Sequence, residues 1–95
     1  MSNREKRYRI PANVLWREEK DRIVLFNEES GEPYLLNEIG TSIWKLCVQE
    51  KTQAEIISVM LENYEGNYEQ ISRETQQFLS NLCKAGFLNE VKHAA

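Results

Sequence analysis

The sequence predicts an α+β domain in which a three-stranded antiparallel β-meander is followed by three helices, in the order βββααα. Three observations predict it. Short runs rich in β-branched and aromatic residues fill residues 14–36, separated by only a few positions. Helix-start signals then follow at Asn37, Thr52 and Asn67, each ahead of an apolar stripe of helical period. Ninety-five residues with 41% hydrophobic and 28% charged side chains have the size and composition of one soluble globular domain.

Val14, Leu15 and Trp16 form the first strand, and residues 17–21 read as a charged turn. The second strand is residues 22–27, RIVLFN, where Ile23, Val24 and Phe26 favour strand over helix. Residues 28–38, EESGEPYLLNE, hold a turn, a short strand and a helix cap. Ser30 and Gly31 carry the turn, because glycine takes the positive φ that tight hairpins demand. The third strand is Glu32 to Leu36, and Pro33, which has no backbone N–H, places it at a sheet edge. Connections this short exclude parallel pairing, and so small a sheet needs helices on one face. The apolar edge Tyr34-Leu35-Leu36 beside a helix start is a surface for a partner.

Asn37 caps the first helix, whose stripe is Ile39, Ile43, Trp44, Leu46 and Cys47. Thr52 and Glu55 form a capping box for the second, with Ile56, Ile57, Met60, Leu61 and Tyr64 facing inward. After a break at Gly66, Asn67 and Gln70 repeat the box for a third helix carrying Ile71, Thr75, Phe78, Leu79 and Leu82. Gly86 fits a left-handed C-terminal cap that turns Phe87 and Leu88 back onto the core.

Residues 1–9 are basic and aperiodic, which predicts a flexible arm; residues 10–91 form the domain and residues 92–95 a flexible tail. Arg4, Lys6, Arg7 and Arg9 read as solvated charges more than as a docking patch. The first twenty residues carry six basic and three acidic side chains, whereas the rest of the chain carries six and twelve. An acidic body is the wrong footprint for a phosphate backbone. No apolar run approaches the roughly 20 residues of a membrane span, and the start lacks the apolar core of a secretory signal, so a cytoplasmic protein off the membrane is expected. Cys47 and Cys83 fall at apolar helical phases and read as buried, reduced thiols. With His93 the only histidine, no metal site and no cofactor are expected. Ser72 and Thr75 have no neighbouring base, and there is no Gly-rich phosphate loop, which predicts a non-catalytic protein.

The element order is similar to a winged helix with its sheet moved to the front. A nucleic-acid-binding or transcription-regulatory protein is therefore the alternative reading. Its recognition helix would be the third, where Arg73 and Lys84 only balance Glu69 and Glu74.

The run Tyr34-Leu35-Leu36-Asn37-Glu38, then Ile43-Trp44-Lys45-Leu46, Thr52 with Glu55-Ile56, Tyr64, Phe78-Leu79 with Leu82, and the closing Gly86-Phe87-Leu88 resembles the PqqD-like family. That family includes the pyrroloquinoline quinone biosynthesis protein D and the peptide-recognition elements of other ribosomally made, modified peptides. The resemblance spans roughly residues 10 to 90 and rests on positions in order, not on one catalytic signature. It implies a peptide chaperone. The leader segment of a precursor peptide adds as a strand to the third strand, lies between it and the third helix, and is presented to a modifying enzyme, which is a radical SAM protein, a peptidase or a cyclase.

By that resemblance the peptide-binding residues are Glu32, Pro33, Tyr34, Leu35 and Leu36 on the strand, with Thr75, Phe78, Leu79 and Leu82 on the helix. On the residues alone, Phe78 and Leu82 equally fit the core, while Leu79 sits at the margin of its stripe and fits an exposed pocket wall. Tyr34 fits either a pocket or a half-buried strand position. The hairpin-like residues 28–33 depart from the quinone protein and are closer to stand-alone homologues beside peptide-modifying enzymes. Glu28, Glu29 and Glu32 are either solvated turn carboxylates or a preference for a leader carrying Lys or Arg. A bare strand edge leaves monomer and edge-paired dimer both open.

Overall fold

The computed structural model describes residues 6–91. Its strands are β1 (Arg7–Arg9), β2 (Val14–Glu19), β3 (Arg22–Asn27), β4 (Pro33–Leu35) and β5 (Asn89–Val91), and its helices α1 (Glu38–Val48), α2 (Gln53–Asn63) and α3 (Tyr68–Lys84). The antiparallel meander β2-β3-β4 and the three helices that follow are the expected arrangement. A second, two-stranded sheet joins β1 to β5.

That second sheet corrects the reading of the N-terminal arm. Tyr8 is the only apolar side chain of β1, too little to show in a pattern, yet it is buried and its hydroxyl accepts a hydrogen bond from Gln53 Nε2 at 3.0 Å. Burial pushes the Tyr8 phenol up to about 12. Gln53 N–H also donates to the Lys6 carbonyl at 2.8 Å, so the start of α2 holds β1 from both its main chain and its side chain. The rest of the arm, residues 1–5, and the tail with His93 lie outside the described residues.

The first meander strand runs three residues beyond the expected boundary. Arg17, Glu18 and Glu19 pair with Val24, Ile23 and Arg22, and the turn shrinks to Lys20 and Asp21, both at positive φ (51° and 67°). Two successive positive-φ residues match the right-handed twist of a two-residue hairpin. The strand hid in the sequence because every residue of β2 after Val14 is exposed, so no apolar alternation marks it. At the next turn Gly31 takes φ 72° and donates to the Asn27 carbonyl at 2.8 Å, while Asn27 Oδ1 accepts the Glu29 N–H.

The helix starts follow their caps. Asn37 Oδ1 accepts the Gly40 N–H at 2.8 Å, and Thr52 and Glu55 form a complete, reciprocal capping box. The Glu55 carboxyl is held below its usual pKa, chiefly by the backbone N–H of Thr52. Asn67 caps α3 through the Gln70 N–H, but the Gln70 side chain turns away to Glu74, so the expected second box is only half present. Glu55 is ionised at neutral pH and returns a stronger bond than the neutral Gln70 amide has to offer.

The inner face of the meander, Ile23, Leu25 and Leu36, packs on Ile43, Trp44 and Cys47 of α1 and on Leu79 and Leu82 of α3, all essentially inaccessible. Trp44 meets Trp16 edge to face at 6.1 Å, and its indole N–H has no acceptor. The burial of so large a ring outweighs one unmet donor. One junction ties sheet to helix: Leu36 N–H donates to the Ile23 carbonyl at 2.9 Å, and Ile23 N–H donates to Thr41 Oγ1 at 3.0 Å. At the far end, Phe87 N–H donates to the Leu82 carbonyl and Gly86 N–H to that of Cys83, the paired bonds of a Schellman cap with Gly86 at φ 88°.

A Cβ at Gly86 would touch only Asn27 Nδ2, at an ordinary 3.4 Å, so its cost is backbone strain alone. Gly86→Ala is expected to lower unfolding free energy by about 1–2 kcal/mol, read from a denaturant titration. A variant as stable as the parent would remove the left-handed cap from this account.

Candidate functional site

The site is built around the free edge of β4. Strand order β2-β3-β4 leaves one side of β4 unpaired among the described residues. Which groups it offers follows from register. The pairs Phe26↔Pro33, Leu25↔Tyr34 and Val24↔Leu35 alternate between hydrogen-bonded and non-hydrogen-bonded, and the Leu36-to-Ile23 bond fixes the phase. Tyr34 and Leu36 therefore aim their main-chain groups at β3, while Pro33 and Leu35 aim theirs outward. The edge presents the Leu35 N–H, the Leu35 carbonyl and the Pro33 carbonyl. Pro33 stands where a missing N–H breaks no ladder bond, inside the strand and at its first position.

Beyond Leu36 the chain enters α1, and a cleft of about 230 Å³ opens where the three helices meet. Ile39, Gly40 and Ile43 of α1, Tyr64 at the end of α2, and Ile71 and Phe78 of α3 form its apolar walls, with Asn37, Glu65 and Glu74 around them. Ile39, on the α1 wall of the cleft, is 47% exposed. The Phe78 ring lies on the backbone of Gly40 so closely that a Cβ there would sit 2.9 Å from two ring carbons. Tyr64 is fixed by a 2.9 Å hydrogen bond between its hydroxyl and Ser42 Oγ. Phe78 also borders a shallower groove along α3 with Arg73, Glu74, Gln77 and Asn81.

Of the sequence-derived candidates, Pro33, Tyr34 and Leu35 form β4, and Glu32 lies just outside it in the turn. Leu35 is 59% exposed, and Tyr34 is half-exposed with its ring edge-on to Phe87 at 5.3 Å. Leu36 is core, and its N–H is already bonded to Ile23, so it has no donor to give a guest. On α3, Thr75, Leu79 and Leu82 are buried, though Thr75 lines the cleft with Phe78, which alone of the four keeps an accessible face. The expectation that Leu79 is the exposed wall is thus corrected to Phe78. Ser72 and Thr75 are buried beside Leu79, which widens the inward face on that side and leaves Phe78 at its margin. Ile39 and Gly40 were absent from the candidates; Ile39 matched the core period of α1, and only its place in the first helical turn, next to the edge strand, distinguishes it.

The Cys47 thiol is pushed up to about 12 by burial and by its neighbour Cys83, and Cys83 is raised for the same first reason, then by Glu90. Among the described residues no three His, Cys, Asp or Glu side chains gather as metal ligands. No helix among them is long and apolar enough to cross a membrane. The outer groove of α3 offers one cation, Arg73, beside Glu74, which gives no support to a nucleic-acid interface.

A strand edge unpaired among the described residues thus leads through Asn37 to an apolar cleft among the three helices, and edges of this kind accept peptides by β-augmentation. Residues 22–88 match the family model of coenzyme PQQ synthesis protein D (PqqD), and the chain belongs to that family. Two solved structures share its fold. One, TbiB1 in complex with the TbiA(beta) leader peptide, is 24% identical with a TM-score of 0.80, covering 90% of this chain and 98% of that one. The other, lasso peptide synthetase B1 complexed with the leader peptide, is 18% identical at the same TM-score, covering 86% and 96%. No curated protein matches the chain significantly.

Stability should separate wall from core. Leu79→Ala is expected to cost about 2–5 kcal/mol in chemical denaturation, and Phe78→Ala distinctly less, because one ring face is already in water. Equal losses would return Phe78 to the core. Thiol labelling gives a second check: half-buried Cys83 should react ahead of buried Cys47 in the native protein, and both together once it is unfolded.

Proposed function

We propose that this protein captures the leader segment of a ribosomally made precursor peptide as an added strand on β4 and presents it to a modifying enzyme. The observation that carries this is the outward-facing main chain of Leu35 and Pro33, unpaired on an edge strand that leads directly to the Ile39–Phe78 cleft. Main-chain bonds give sequence-tolerant attachment, and side chains entering the cleft give selectivity. In an antiparallel guest strand, the residue opposite Leu35 exchanges two bonds with it. The residues on either side of that one turn their side chains inward, toward Tyr34 and the helices. Membership of the PqqD family, and the leader peptides bound by the two proteins of the same fold, support the reading.

The module's part is positional, not catalytic. The titratable side chains at the cleft are Glu65, Glu74 and Tyr64; the Tyr64–Ser42 hydroxyl pair has no histidine or carboxylate among its hydrogen-bond partners, and the thiols are held protonated. Its working place is the cytoplasm, where both thiols stay reduced and precursor peptides are synthesised. A short reading frame sought beside the gene supplies the candidate leader peptide as the probe, with fluorescence anisotropy as the readout.

Leu35→Pro removes an N–H that points away from β3, so the fold should persist by circular dichroism while leader binding weakens by about 1 kcal/mol or more, one main-chain bond and its geometry. Leu36→Pro instead would remove the N–H bonded to Ile23 and confound fold with binding. Affinity should change little with salt, unlike the steep fall of phosphate-backbone binding. A folded Leu35→Pro protein with parental affinity would sink strand addition at this edge.

A further inference from the structure

The outer face of the meander, opposite the helices, has no cover among the described residues, and its register assembles an apolar surface. Cross-strand partners share a face. Leu15, Phe26 and Pro33 form one row across all three strands, and Arg17, Val24 and Leu35 form the next. Leu15 is 55% exposed and Leu35 59%. The Arg17 guanidinium lies 6.0 Å from the centre of the Phe26 ring and 2.8 Å from Glu19, so the far end of the face is charged, with Arg22 beside Glu19. Exposed apolar side chains aligned in this way mark an interface more often than scattered ones do.

Two of these side chains, Pro33 and Leu35, belong to β4, whose edge takes the leader in the reading above, and the present inference rests on that reading. A strand added there continues the face. The leader residue opposite Leu35 puts its side chain outward, alongside Leu35, while its two neighbours face the helices. Alternate leader side chains are thereby divided between two readers. We propose that the modifying enzyme docks on this outer face, and that the bound leader completes it with every second side chain. The enzyme surface that fits is apolar, matching Leu15, Phe26 and Leu35, with a polar border toward the Arg17–Glu19 pair and Arg22. Such a face is whole only when a leader is present, so the enzyme meets the loaded module in preference to the empty one.

Leu15 tests this, because it lies on β2 with β3 between it and the leader edge. With a candidate leader and modifying enzyme sought among the neighbouring reading frames, Leu15→Glu is expected to bind leader within about twofold of the parent, which also certifies its fold. It should lose enzyme association and modification rate by about tenfold, while Leu15→Met keeps both. Substituting the outward leader residues should slow modification at unchanged anisotropy affinity, and substituting the inward ones should weaken affinity first. Leu15→Glu working as well as the parent would overturn the proposal. So would sedimentation showing a parental dimer that Leu15→Glu dissolves without slowing modification, since the face would then belong to a second copy. A parental protein that fails to bind leader at all, seen before any enzyme is added, would remove the leader reading and this inference with it.

Discussion

Ile23 is the residue on which the rest of the arrangement depends. Its carbonyl accepts from Leu36 and its N–H donates to the Thr41 hydroxyl, so one buried residue anchors both the end of β4 and the first turns of α1. The Ile23 N–H would otherwise bond the carbonyl of Leu36. By taking Thr41 in its place, the sheet releases the chain into a helix at that point and leaves no buried donor unmet. The Leu36-to-Ile23 bond sets the phase of β4, hence which of its main-chain groups face water. Edge, cleft and outer face are all consequences of that phase.

Much of this was legible in the sequence because it is local chemistry. Asn37, Thr52 and Asn67 cap helices wherever tertiary packing permits, and Gly86 has few alternatives to a left-handed turn. Pro33 announced an edge, and the register shows why it is tolerated. What escaped depends on partners distant in sequence. The strand β1 has a single apolar residue and exists because β5, more than eighty positions away, supplies the other half of its ladder. Phe78 and Leu79 are equally apolar neighbours, and only the burial of polar Ser72 and Thr75 decides which of them looks outward. A stripe defined by apolar identity misplaces its own centre when polar residues are buried within it.

The two-stranded clasp also shapes how the site is held. β1 and β5 bring the two ends of the described chain together, and Gln53 and Tyr8 fasten them to α2. Phe87, between α3 and β5, is the residue against which Tyr34 rests. The C-terminal end of α3 is thereby fixed relative to the edge strand through aromatic contact, with no contribution from the solvated ion pairs of the surface, which carry little energy.

The free edge is short, and its shortness has a thermodynamic meaning. Three main-chain groups face outward, each bond to them worth about 0.5–1.5 kcal/mol net, against an association cost on the order of 4–15 kcal/mol. Backbone pairing alone is therefore insufficient to hold a guest strand. The deficit must be met by apolar side chains entering beside Ile39 and Phe78, which ties affinity to leader sequence even though the hydrogen bonds ignore it. A second copy of the module would bring an edge equally short and equally interrupted by proline. Pairing edge to edge, two such strands face the same deficit in main-chain bonds.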